Sequence, residues 1–112
     1  MANLEPKFAK LAGTEKFTRL LSGVPATAGM KSGYVTLKPG EAVGEHKTAS
    51  REEAIIILEG QAAVYCEQKF LFTAAAQSLV YIPPEMNHDI RNEGSVPLRY
   101  VYVVTPVEGN CL

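Results

Sequence analysis

The sequence predicts an all-β domain, a sandwich or barrel closed from short antiparallel strands around one core. Apolar, β-branched and aromatic residues gather in about seven short runs, separated by turn residues at intervals of about 8 to 12 positions. No long helical pattern lies between these runs, which argues against a parallel α/β sheet. A chain of 112 residues suffices for one domain and not for two of ordinary size.

The elements follow in order. Phe8, Leu11, Phe17, Leu20 and Leu21 give the first part of the chain its only helical flavour, and Gly13-Thr14 interrupts it. Residues 1–30 are therefore expected to form an irregular or partly helical segment that packs over the barrel or against a partner subunit. The barrel itself is expected over 31–107. Gly33–Lys38 reads as a strand that stops at the Pro39-Gly40 turn. Glu53–Leu58 is an isoleucine-rich run ending at Glu59-Gly60, and Gln61–Glu67 and Phe70-Leu71-Phe72 follow as further strands. Leu79–Ile82 ends at Pro83-Pro84, which cannot continue inside a sheet. Leu98–Val104 closes the series between Pro97 and Thr105-Pro106.

Composition sets limits on function. The chain is 46% hydrophobic and 21% charged, ordinary for a core-forming protein. Its formal charge of -1, with no basic run, gives no electrostatic basis for nucleic acid or an anionic membrane as partner. The apolar stretch Ala54–Leu58 is far shorter than the roughly 20 residues of a membrane helix. With no apolar leader pattern in the first residues, a cytoplasmic location is expected. Cys66 and Cys111 have no motif spacing, so both are read as free thiols, with Cys66 a small buried hydrophobe.

The chemistry-bearing residues cluster around the two histidines. The first neighbourhood runs Gly40, five residues, His46-Lys47-Thr48, four residues, Glu53, six residues, Gly60. Alternation along a strand places His46 and Thr48 on one face. A turn through Ala49-Ser50-Arg51 is expected to return the chain antiparallel, so that Glu53 faces His46 across the pair. The second neighbourhood runs Pro83-Pro84-Glu85-Met86-Asn87-His88, three residues, Asn92, and sets His88, Ile90 and Asn92 on a shared face. Glu52 and Glu53 stand just ahead of the isoleucine run, which points at least one of them inward. Asn92 is expected to bridge backbone in a turn, Tyr100 and Tyr102 to lie in a half-buried strand, and Lys47 and Arg51 to be surface charges.

These two stretches resemble the paired signatures of the cupin superfamily. The likeness runs from Gly40 to Asn92, with a short gap between motifs, as in minimal one-domain microbial cupins. It implies a jelly-roll barrel, commonly dimeric, with a metal ion held inside. Residue by residue, it assigns His46, Glu53 and His88 as ligands of a divalent ion: Fe, Mn, Ni or Zn. Thr48 stands where most metal-binding members have a second histidine, and is expected to offer a weak or water-mediated contact. Gln77 and Glu85 replace glycines of the second motif, a matter of turn shape. Two imidazoles and one carboxylate form a facial triad that leaves positions open for a small anionic or oxygen-chelating ligand.

Three functions stay open on the sequence. The first is a metal-dependent dioxygenase, isomerase or lyase acting on a small molecule. The second is a non-catalytic binding or sensing module, with or without metal. The third is metal-free epimerase-like chemistry with a histidine base and a tyrosine acid. A homodimer is expected, because one small barrel leaves strand edges and an apolar segment to cover.

Overall fold

The computed structural model describes residues 4–108, so Cys111 lies outside the described residues. Nine strands follow one another: β1 Phe17–Ser22, β2 Lys31–Leu37, β3 His46–Lys47, β4 Arg51–Glu59, β5 Gln61–Cys66, β6 Lys69–Ala75, β7 Ser78–Ile82, β8 Asn87–Arg91 and β9 Leu98–Pro106. They form two antiparallel sheets, ordered β1-β2-β9-β4-β7 and β3-β8-β5-β6. Among the described residues there is no helix, and so none long and apolar enough to cross a membrane.

Strand alternation makes the core. The inward residues of β4, Ile55 and Ile57, are buried, as are Val64 on β5, Ile90 on β8 and Leu98 on β9. Each fully buried side chain of this size contributes about 1.5–3 kcal/mol. Cys66 is a buried free thiol within the same core.

The ladder pairings arrange the inner face of the five-stranded sheet in rows. One row reads Phe17–Val35–Tyr100–Ile57–Ser78, the next Arg19–Gly33–Tyr102–Ile55–Val80, and the last Lys31–Val104–Glu53–Ile82. Beyond the first row lie buried Leu37 and Leu98. The packed core therefore fills one end of the barrel, and the polar row marks the open end.

The first thirty residues depart from the helical or irregular expectation, because Phe17–Ser22 is a barrel strand. Arg19 pairs with Gly33 and Leu21 with Ser32, leaving Leu20 as the extra residue of a β-bulge. A bulge sets consecutive residues out of phase with the two-residue repeat. The resulting spacing of Phe17, Leu20 and Leu21 mimics one face of a helix.

The expected pairing of His46 with Glu53 across a hairpin is also corrected. β3 pairs with β8, and β4 pairs with β7 and β9 in the other sheet. The turn after Thr48, with Ala49 at φ 56°, crosses from one sheet to the other. Histidine and glutamate consequently meet across the interior of the barrel.

Candidate metal centre

β3 and β8 bring the two histidines together. His46 and His88 are direct partners in the ladder, and their ring centroids stand 4.1 Å apart. A backbone carbonyl orients each ring: Nδ1 of His46 lies 2.9 Å from the Gly44 oxygen, and Nδ1 of His88 lies 3.2 Å from the Met86 oxygen. A ring that donates its Nδ1 proton this way turns the Nε2 lone pair toward the site.

Glu53 enters from the opposite sheet, and its Oε1 is 3.0 Å from His88 Nε2. Glu52 faces the other way, accepting a hydrogen bond of 2.7 Å from the Tyr81 hydroxyl on the outer face. Glu53 is buried, as alternation along β4 requires. One ligand atom from each of His46, Glu53 and His88 lies within 4.8 Å of the others. Atoms bound to one ion at about 2.0–2.2 Å stand about 3 to 4.4 Å apart, so small side-chain rotations close the set.

The donor chemistry fits a cation. Both ring nitrogens of His88 face acceptors, one a carbonyl and one a carboxylate. A neutral imidazole has a single N–H and satisfies only one of them. The pair is satisfied either by an imidazolium or by a metal ion between Nε2 and Glu53. Burial alone would drive the proton off His88. The hydrogen bond to Glu53, the Met86 carbonyl and the charges of Glu53 and Asp89 outweigh burial and hold its pKa above the ordinary histidine range.

Neighbouring residues fix the loops that carry the ligands. Thr48, expected as a fourth contact, is buried; its hydroxyl donates to the Pro83 carbonyl at 2.7 Å and accepts from the Met86 N–H at 3.0 Å. It clamps the crossing after β3 to the turn ahead of His88. In that turn Glu85 has φ 55°, and in the turn between β6 and β7 Gln77 has φ 68°. Both motif positions thus keep a left-handed backbone without glycine. Asp89 accepts a hydrogen bond from Gly44 N at 2.9 Å and pairs with Arg91 at 3.0 Å, tying the approach to His46 onto β8. Asn92 bridges backbone, donating to the carbonyls of Leu37 and Val96.

His46 and Glu53 also line a cavity of about 410 Å³. Its walls include Phe17, Val35, Tyr100 and Tyr102, and Arg19, Lys31, Lys47 and Arg51 border it. Lys47 and Arg51, expected as surface charges that could lie near the barrel mouth, are exposed and border the cavity. Arg19 and Lys31 went unnoticed because they fall in or beside the segment read as lying outside the barrel. Tyr100 is buried on the cavity wall, and burial together with the nearby charge of Glu53 pushes its pKa far up, so the phenol stays neutral.

Two facing antiparallel sheets with an inward-pointing His–Glu–His set define a class of protein, the jelly-roll cupins. The chain belongs to the cupin family, whose model, described as "Cupin domain", matches residues 33–104. It is 30% identical over 86 residues to the tetracenomycin polyketide synthase protein TcmJ of Streptomyces glaucescens, covering 77% of this chain and 56% of that protein. It is 33% identical over 70 residues to the alginate biosynthesis protein AlgA of Pseudomonas putida, covering 62% of this chain and 14% of that protein. The chain thus spans about half of the first of these curated relatives and a small part of the second. Among solved structures, an RmlC-like cupin from Methanocaldococcus jannaschii matches with a TM-score of 0.73 at 22% identity, covering 89% of this chain and 87% of that one. A predicted oxalate decarboxylase from Thermotoga maritima also gives 0.73, at 24% identity, covering 81% and 79%. These last two likenesses are of fold.

Proposed function

We propose that this cupin holds a divalent transition-metal ion (Fe, Mn, Ni or Zn) through His46, Glu53 and His88, and presents it to a small oxygen-donor ligand for chemistry. The observation that supports this reading is the ring of His88, whose two nitrogens both face acceptors, the Met86 carbonyl and Glu53. When bound, such an ion polarises ligand oxygens as a Lewis acid, or supports oxygen chemistry if it is iron. The chain's own residues do the rest. Gly44 and Met86 carbonyls aim the imidazoles, neutral Tyr100 offers a hydroxyl on the wall, and the apolar walls exclude water from the ligand. The relatedness to a polyketide synthase protein agrees with an oxygen-rich small molecule as substrate.

Metal-free epimerase-like chemistry fits His88 less well. It needs a histidine with one nitrogen on a carboxylate and the other free for substrate, whereas the second nitrogen of His88 lies against the Met86 carbonyl.

Elemental analysis of protein purified without chelator or nickel resin tests the reading. We expect near-stoichiometric ion in the wild type, loss in His46→Ala and Glu53→Gln, and retention in Glu52→Gln, whose side chain lies on the outer face. Equal loss in both glutamate variants would refute the ligand set. Ligand binding with metal but without turnover would leave a sensing module instead of an enzyme.

We also propose a homodimer. Phe8 is 91% exposed and Leu79 71%, and sheet edges such as β6 carry exposed Phe70 and Phe72. Light scattering at micromolar concentration that finds only monomer would overturn this.

A further inference from the structure

The metal reading uses one part of the cavity; elsewhere around it three cations stand without partners. Arg19 on β1, Lys31 on β2 and Arg51 on β4 all line it. Among the described residues, none of the three makes an ion pair. The fourth cation, Lys47, is paired with Glu85 at 3.5 Å. Both carboxylates of the lining are engaged, Glu53 with His88 and Glu45 with the Asn87 amide. The lining carries four cations against two carboxylates while the chain as a whole carries a charge of -1, so this excess of positive charge is local. A concave, low-dielectric wall focuses such a field on an anion.

The rows of the sheet set the spacing. Lys31, Val104 and Glu53 stand on three adjacent strands in one row, so the Cα atoms of Lys31 and Glu53 are about 9.5 Å apart. The surfaces around that gap are apolar or aromatic: Phe17, Val104, Tyr100 and Tyr102. Gly33 makes room there, because a Cβ at that position would lie 2.5 Å from Tyr102 Cε2. The Tyr102 ring therefore lies across β2, in the row that ends at Arg19.

We propose that the cavity takes a small carboxylic acid with an apolar body the size of one ring. Its carboxylate sits on Arg19 and Lys31, with Arg51 beside them, and its oxygen donors point to the His46–Glu53–His88 end. Only the second end rests on the metal reading. The arginine supplies paired N–H donors that match a carboxylate, and the lysine a point charge.

Calorimetric titration with 3,4-dihydroxybenzoate and with catechol, which lacks the carboxylate, tests the proposal on zinc-loaded and on chelator-treated protein. We expect the acid to bind wild-type protein about tenfold more tightly than catechol, a preference that shrinks with added salt. Arg19→Gln/Lys31→Gln should bring the two affinities within about twofold, and the single Arg19→Gln, on an exposed edge strand, should remove about half of the preference on a logarithmic scale. Equal wild-type affinities, or a preference that survives the double substitution, would overturn the proposal. Zinc retained without carboxylate preference fails this inference alone. A preference that persists in protein unable to retain zinc supports the cationic subsite and fails the metal reading.

Discussion

Thr48 shows how a single side chain supports the site through the backbone around it. Its hydroxyl joins the Pro83 carbonyl to the Met86 N–H, and the Met86 carbonyl in turn holds His88 Nδ1. Thr48→Val keeps the shape and leaves both backbone groups unsatisfied, a loss of about 1–3 kcal/mol. Chemical unfolding should show this destabilisation, and elemental analysis a lower ion content as His88 loses its support. An unchanged unfolding midpoint would mean that water replaces the hydroxyl. That Glu53 and not Glu52 faces the histidines was legible through the resemblance, whose motif sets its carboxylate six residues ahead of a glycine, here Gly60. Gly60 itself has φ 80°, and a Cβ there would meet the Pro97 carbonyl oxygen at 2.3 Å. The role of Thr48 was not legible, since its partners lie 35 and 38 positions away.

The β5–β6 hairpin turns on Glu67 and Gln68, with φ of 51° and 66°, the two left-handed central residues of a type I′ turn. Neither is the asparagine or glycine that such a turn favours, so the sequence marked this hairpin only through its flanking strands. A non-glycine residue in that region costs about 1–2 kcal/mol, and glycine loses about 0.5–1 kcal/mol in chain entropy. Gln68→Gly is therefore expected to raise stability by up to about 1 kcal/mol, read as a higher denaturant midpoint. A lower midpoint would show that the Gln68 side chain contributes in the folded state. Other elements divide along similar physical lines. β4, β5 and β9 were readable because apolar, β-branched and aromatic residues run between clear turn residues. β1 was not, because the bulge at Leu20 disguised its period. The partner of β3 was not readable either: alternation reports which face a residue occupies, not which strand lies beside it.

At the scale of the whole molecule, the proposed metal ion would compete with protons for the same place. The elevated pKa of His88 gives the metal-free protein a stabilising term that is full below the unfolded histidine value of about 6.5. That term is lost as pH rises through the higher folded value. Uptake of the proposed ion should run the other way, weakening as pH falls and His88 takes its proton. Melting curves across pH should therefore show chelator-treated protein losing stability as pH rises and zinc-treated protein diverging upward from it. At free zinc about 100-fold above Kd the gain is about 2.7 kcal/mol, on the order of 10 °C in Tm. Superimposable curves with and without zinc would count against the site. The ligands come from both leaves of the barrel: His46 and His88 from one sheet, Glu53 from the other. An ion held there would rivet the two sheets together at the cavity mouth, where the metal-free protein joins them through the His88–Glu53 contact. Loss of the proposed ion would then also remove one of the ties between the two sheets at the entrance to the cavity.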